Sequence, residues 1–216
     1  VKSGVTVATQ VTVTADYLLL RDTNDVPMIA KTVSETCTIT TSGINGLEAS
    51  DTEAANTWYE VFIYAKADGT VDCLMNADGT AVTTVPTDYV YRKRVASVRN
   101  NASSNLIENW GFNGKTYIAG FAENGCRVLT GGSATVFTNV DTSACVPDTA
   151  RIAIINIEQN SAVATRTVLR PDGSAFTYGQ VIGNGVSANP NSDYAEVGLS
   201  SVQIFEYLLL AASSSV

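Results

Sequence analysis

Protein chemistry needs side chains that move protons, attack electrophiles or hold metals, and the most versatile of these is missing: the 216 residues contain no histidine. Its absence removes the usual general base and the commonest metal ligand. Serine-histidine and cysteine-histidine catalysis within this chain are excluded with it. Glu60, Glu108, Glu123, Glu158 and Glu206 could supply the two carboxylates of a glycosidase, one of them held protonated by burial. Their spacing marks no such pair, so ordinary solvated carboxylates are expected.

The tetrapeptide Ala-Asp-Gly-Thr occurs twice, at 67–70 and 77–80. A calcium loop of the EF-hand kind needs oxygen donors at its first, third and fifth positions before a glycine. Placing Gly79 at that glycine puts Asn76 and Asp78 correctly but Leu74 first, and around Gly69 only Asp68 fits. Asp22, Asp25 and Asp172 remain as donors that could meet on a cation between loops. The stronger reading is a turn, because Asp-Gly between strand-forming residues is a strong hairpin signal. Thr57–Ala65, Thr70–Met75 and Ala81–Val85 then form a meander, and Pro171–Ser174 (PDGS) is a further turn of this kind. Gly131-Gly132-Ser133-Ala134 lacks the strand, lysine and helix of a phosphate loop. No catalytic residue, metal ligand or cofactor is assigned.

The four cysteines, Cys37, Cys73, Cys126 and Cys145, are far apart and form no CxxC pair, which argues against zinc. They are sparse for a chain this long, and Cys37 and Cys73 read as strand interiors. Free buried thiols are therefore expected ahead of two disulfides. The net charge of −8 opposes nucleic-acid binding, which draws on clustered Lys and Arg. The one basic cluster, Arg92-Lys93-Arg94 with Arg99, reads as an exposed strand face paired with nearby carboxylates. Trp110, Phe112 and Tyr117, in the run NWGFNGKTY, are the most ligand-like aromatics: a polar, glycine-flanked loop could offer them to a sugar, although an anchor packed under its own loop is the plainer reading.

The elements that must position these residues read as strands. Charged residues make up only 16%, and Thr, Val, Ala, Ser and Asn dominate over helix formers. Over 5–19, Val5, Val7, Val11, Val13, Tyr17 and Leu19 share one parity and define a long half-buried strand, or two strands in line. Residues 29–40 repeat the pattern with Val33, Cys37 and Ile39 inward, and Gly43–Gly46 turns the chain. Residues 57–65, apolar on both parities, should be covered on both faces.

Further strand-like runs are 89–100, 115–121, 126–130, 134–140, 151–159, 164–171 and 200–210, with 187–196 as the best long exposed loop and at most one helical turn near 47–57. Tyr-Leu-Leu-Leu occurs at 17–20 and 207–210, where three leucines in a row imply burial on both faces or a bulge. Either the terminal strands lie side by side, or Tyr17, Leu18, Leu20, Tyr207, Leu208 and Leu210 belong to a subunit interface. The expectation is an all-β chain with little or no helix: one antiparallel, jelly-roll-like β-sandwich domain over 1–216, with an N-terminal strand extension at 1–20 and a flexible tail at 211–216. The opening residues do not read as a secretory leader and no apolar run approaches membrane-spanning length. Since the first residue is Val, either an initiator methionine was removed or a segment precedes it. A soluble protein assembled inside a bacterial cell is expected.

The order Trp58-Tyr59, Val61-Phe62, Tyr64, then Gly69, Asp72 and Leu74, then Pro86, Tyr89, Tyr91-Arg92-Lys93-Arg94-Val95, Val98-Arg99 resembles a domain of tailed-phage virion proteins, tail-fibre-like and other surface proteins among them. Val146-Pro147-Asp148-Thr149-Ala150-Arg151-Ile152 is similar to the start of a second-half strand in the same domain. The resemblance covers about 60–152 and is most specific over 58–99. Asp88 stands where the family has Gly, and Ala96-Ser97 replaces a small pair containing Gly. The resemblance implies a structural role on a phage particle without chemistry: a capsid decoration, head-fibre or short tail-fibre protein. Its partners would be copies of itself, as a homotrimer, together with capsid or tail proteins. It would be assembled in the host cytoplasm and displayed on the virion surface. The alternative is a carbohydrate-binding module that contacts a host surface glycan, and a depolymerase is a third reading.

Overall fold

Alternating valine and threonine, which suit a pleated surface wet on one side, build the long hairpin that organises the first half of the chain. The computed structural model describes residues 2–7, 9–77, 85–106, 109–112, 115–118, 126–159, 165–176, 180–185 and 191–211. These residues are all-β and contain no helix. The chain divides into two compact units, Val1–Gly125 and Cys126–Val216, where strand spacing alone had been read as one domain.

The first unit holds β1 (Lys2–Val7), β2 (Gln10–Arg21), β3 (Pro27–Thr38), β4 (Gly46–Leu47), β5 (Trp58–Lys66), β6 (Val71–Asn76), β7 (Tyr89–Arg99), β8 (Asn109–Phe112) and β9 (Lys115–Ile118). They form one sheet in the order β4-β6-β5-β7-β2-β1-β8-β9, with β3 on the other edge of β2. Every pair is antiparallel except β4 with β6. Its core is the inward side of β2, β3, β5, β6 and β7: Val11, Val13, Leu18, Leu20, Val33, Cys37, Tyr59, Val61, Ile63, Cys73, Met75 and Val98 are buried together.

As expected, β5 is covered on both faces. Tyr59, Val61 and Ile63 face this core, while Phe62 and Tyr64 pack with Leu74 and Tyr89 in a smaller cluster. The first Ala-Asp-Gly-Thr is the β5–β6 turn. Gly69 takes φ +94, and Asp68 Oδ1 accepts from the Thr70 amide at 2.8 Å, which holds the exposed Asp68 carboxyl below its ordinary range. Most of the second copy, and the strand expected at 81–85, lie outside the described residues.

The β2–β3 hairpin departs from simple alternation. Val11 and Val13 point inward as expected, but Tyr17 and Leu19 do not: Asp16 and Tyr17 are both exposed, after which Leu18 and Leu20 are buried. On β3, Lys31 and Thr32 are likewise both exposed between buried Ala30 and Val33. Pairing runs Ala15 to Val33 and resumes at Tyr17 to Lys31, so each strand shifts phase once, opposite the other. The register is kept while the faces exchange. Thr32 carries the irregularity at φ +52, an uncommon conformation for a β-branched residue.

The second unit holds β10 (Thr138–Asp141), β11 (Ile152–Gln159), β12 (Thr165–Pro171), β13 (Gln180–Gly185), β14 (Asn191–Gly198) and β15 (Ile204–Ala211). A four-stranded sheet, β10-β15-β12-β13, and a two-stranded sheet, β11-β14, are both antiparallel. They share one core, with Val140, Leu169, Phe205 and Tyr207 from the first and Ala153, Ala195 and Val197 from the second. The PDGS turn forms as expected, with Gly173 at φ +68 and the Ser174 amide donating to the Pro171 carbonyl at 3.2 Å.

Several expectations fail here. The terminal Tyr-Leu-Leu-Leu runs do not lie side by side: β2 pairs with β1, β3 and β7, and β15 with β10 and β12. Residues 126–130 form no strand, 134–140 form one only from Thr138, and no helical turn forms at 47–57. Residues 191–196 of the expected long loop are the first part of β14. The strand order of neither unit establishes the expected jelly roll. The C-terminal tail beyond 211 lies outside the described residues.

Candidate functional site

The basic strand β7 meets three environments. On the outward face of the sheet, Arg94 lies opposite Phe62 and Ser97 opposite Glu60. Glu60, only 2% exposed, accepts from the Ser97 hydroxyl at 2.8 Å and from Arg94 at 3.3 Å. A buried carboxylate is costly unless paired and hydrogen-bonded, so these contacts explain how Glu60 sits there. Burial pushes the neighbouring Tyr64 hydroxyl up to about 12, against the opposing pull of Arg92. Fully buried Asn76 stands opposite Glu60, and neither atom of its amide meets a hydrogen-bond partner among the described residues.

The second environment is the seam where β3 meets β6, which lie at opposite ends of the path through β2, β7 and β5. Asn45, at φ +61, stands between them like one residue of a strand. Its amide donates to the Cys73 carbonyl at 2.8 Å, and its carbonyl accepts from the Thr38 amide at 2.9 Å. Its side chain accepts from the Cys73 amide at 3.1 Å and donates to Asp72 at 2.8 Å. Tyr89 also donates to Asp72. Its hydroxyl is pushed up to about 12, first by burial and then by that carboxylate. Glu35 on β3 is raised as well, by burial and by the Asp72 charge.

Across this seam Cys37 and Cys73 form a disulfide, with Cα atoms 5.8 Å apart. Cys126 and Cys145 form a second in the other unit, at 5.4 Å. The expectation of free buried thiols is thereby corrected. Burial of Cys37 was read properly from parity and that of Cys73 from its place inside a strand, but the partner arrives through curling of the sheet, which no local pattern reports.

The third environment is a fork. β1 pairs with β2 as far as Thr14, and β7 touches β2 only at Arg21–Arg92. Between these points an open cleft of about 410 Å³ is lined by Ala15, Asp16, Tyr17, Leu18, Leu19 and Lys93.

The carboxylates and aspartates singled out from sequence have structural occupations. Glu206 pairs with Arg170 at 2.5 Å, and Arg170 also lies 3.6 Å from the Phe137 ring centre. Glu158 is exposed; Glu108 and Glu123 lie outside the described residues. Asp22 accepts from the Asn24 and Val26 amides at 2.9 and 2.8 Å and so shapes the β2–β3 turn, while Asp25 pairs with Arg21 at 3.1 Å. Asp172 belongs to the PDGS turn of the other unit. Among the described residues no three acidic or cysteine side chains gather to hold a metal ion. The Gly131–Ala134 stretch packs on β15: a Cβ at Gly132 would lie 2.9 Å from the Tyr207 hydroxyl, and the Leu209 amide donates to the Ala134 carbonyl at 2.8 Å.

Trp110 and Phe112, expected in a loop, are in β8, and Tyr117 is in β9, within the strand-like run expected at 115–121; Trp110 stands directly opposite Tyr117, and their side chains lie outside the described residues. Leu18, Leu20 and Tyr207 belong to the chain's own cores, Leu208 is half-buried, and Tyr17 and Leu210 are exposed. Sequence reading missed the outward face of β11–β14, where Ile152, Ile154 and Tyr194 are 62%, 50% and 68% exposed. The signal was present, since Ile152, Ile154 and Asn156 share a parity opposite to Ala153 and Ile155, but an all-apolar run does not say which side is wet. Comparison of the chain with protein-family models, curated proteins and solved structures finds no match.

Proposed function

We propose that this chain is a non-enzymatic structural protein of a phage particle, carried on the virion surface as a capsid decoration, head-fibre or short tail-fibre protein. The observation that carries the reading is the outward face of β11–β14. Isolated exposed apolar residues are ordinary, but Ile152, Ile154 and Tyr194 on one small sheet form the kind of surface that copies of a protein bury against each other. The resemblance of residues 58–99 to phage surface domains supports the same reading. Two disulfides suit a protein displayed outside the reducing cytosol, with assembly in the host cytoplasm and bond formation after release.

The test is native mass measurement followed by mixing with undecorated heads and with tails of the cognate phage. A homotrimer that binds either particle, weakened by Ile154→Asp, is the expected outcome. A monomer that binds neither refutes the reading.

The register of Trp110 with Tyr117 favours one second reading, a module that binds a host surface glycan. Glycan binding lost in Trp110→Ala would establish it, and an array at background would remove it.

A further inference from the structure

The two disulfides differ in access, and the difference goes beyond that reading without depending on it. Cys37 and Cys73 are both 0% exposed inside the core of their unit. Cys126 and Cys145 are each only half-buried, and their neighbours Arg127 and Ala144 are exposed. Thiol–disulfide exchange needs a thiolate to reach a sulfur atom. A small reagent can therefore meet the second bond in the folded protein, whereas the first is shielded until its unit opens.

The second bond also joins a firm end to a loose one. Cys145 lies on the turn after β10, which is laddered to β15 from Thr138 to Asp141. Its amide donates to the Thr142 carbonyl at 2.7 Å, and the buried Thr142 hydroxyl donates to the Gln203 carbonyl at 2.6 Å. Residues 126–137, by contrast, form no strand or helix. Beyond the last β10 pair they lie along β15, where the Leu209 amide donates to the Ala134 carbonyl at 2.8 Å and the Ala134 amide donates to the Tyr207 hydroxyl at 3.3 Å. Val128 and Ala134 rest half-buried on the core, while Leu129 and Val136 are 42% and 70% exposed. Few hydrogen bonds and little buried apolar surface place such a segment among the first to open.

We propose that Cys126–Cys145 is a redox-sensitive clasp: a dithiol reductant opens it in the folded protein while Cys37–Cys73 stays closed, and opening frees the 126–137 strap from β15. One thiolate of the dithiol attacks one sulfur, and the other sulfur leaves as a thiolate. The second thiol of the reagent then resolves the mixed disulfide. The reagent ends as its cyclic disulfide, and the protein gains two thiols for two electrons and two protons.

The probe is dithiothreitol, added to the intact protein without denaturant, with timed alkylation and peptide mapping. Cys126 and Cys145 should become alkylated at least about a hundredfold faster than Cys37 and Cys73, which react only through the small opened fraction. Tryptic cleavage after Arg127 and hydrogen exchange at the Leu209 amide should rise together by at least about tenfold, while the β10–β15 ladder keeps its protection. Cys126→Ser with Cys145→Ser should show the fast cleavage and exchange without reductant, and no further change with it. The reductant series on the unaltered protein decides the question even where the variant folds poorly. Equal rates of alkylation at all four cysteines overturn the proposal. So does an opened bond that leaves Arg127 cleavage and Leu209 exchange unchanged, since the strap would then be held by its own packing. Loss of protection throughout β12 and β15 also overturns it, and would make the bond a staple of the whole unit.

Discussion

Opening the Cys37–Cys73 bond should destabilise the first unit more than any single surface change. The bond closes a loop of 36 residues, and the Cys126–Cys145 bond closes one of 19. On the chain-entropy model, releasing these constraints from the unfolded state costs about 3.8 and about 3.2 kcal/mol. For a unit of this size that is about 4 °C of melting temperature per kcal/mol, or about 15 °C for the first bond. Cys37→Ala alone opens the bond. Cys37→Ala with Cys73→Ala also removes both buried sulfur atoms, each fully inside the core, so the double variant should melt lower still. Scanning calorimetry of both variants, beside Cys126→Ala with Cys145→Ala, gives the shifts, and peptide mapping without reductant gives the linkage. Alkylation of all four thiols in the untreated protein, any other pairing, or a shift under about 4 °C for Cys37→Ala would refute the reasoning.

Gly46→Ala should cost about 3 kcal/mol in denaturant unfolding, because the added Cβ would lie 2.0 Å from the Thr41 carbonyl oxygen, a backbone atom that cannot swing away. Arg94→Ala should cost about 2–3 kcal/mol and Glu60→Gln only about 1, since the first takes the Arg94 charge and hydrogen bond from a carboxylate only 3% exposed while the second leaves an arginine 42% exposed to water; equal losses would contradict this asymmetry. Glu35→Gln should stabilise the protein at neutral pH. Burial and the Asp72 charge raise the Glu35 pKa above 4.5, so the folded state holds that proton more tightly than the unfolded one. Stability from this group is full below pH 4.5 and lost as pH rises through the raised value. Melting temperatures of variant and parent should therefore converge in acid and separate toward pH 7.

How much of this was legible in the sequence follows from the range of each interaction. The all-β class, the hairpin at Asp68-Gly69, the turn at 171–174 and the double burial of β5 rest on residues within a few positions of each other, and local patterns report them. Parity in β2 was readable only to Ala15: the phase shift at Asp16 depends on the matching shift at Thr32, sixteen residues away, so Tyr17 and Leu19 were assigned to the wrong face. The β3–β6 seam, the disulfide across it and the fork beside Lys93 arise from the curl of a sheet whose partners are distant in the chain. Arg92-Lys93-Arg94 looked like one exposed basic run. Strand register gives its members different surroundings: Arg92 beside Tyr64, Arg94 on buried Glu60, and Lys93 at the opening of the wall.

The two covalent links also set how far the protein can be drawn out under load. Chain enclosed by a disulfide carries no tension, so 36 residues of one unit and 19 of the other stay out of the stretched path even after their strands have separated. At about 3.5 Å per extended residue, that withholds roughly 125 Å and roughly 65 Å of contour length. In the oxidised form, each unit would therefore yield a short, fixed increment when pulled from its ends, and reduction would lengthen both steps by those amounts.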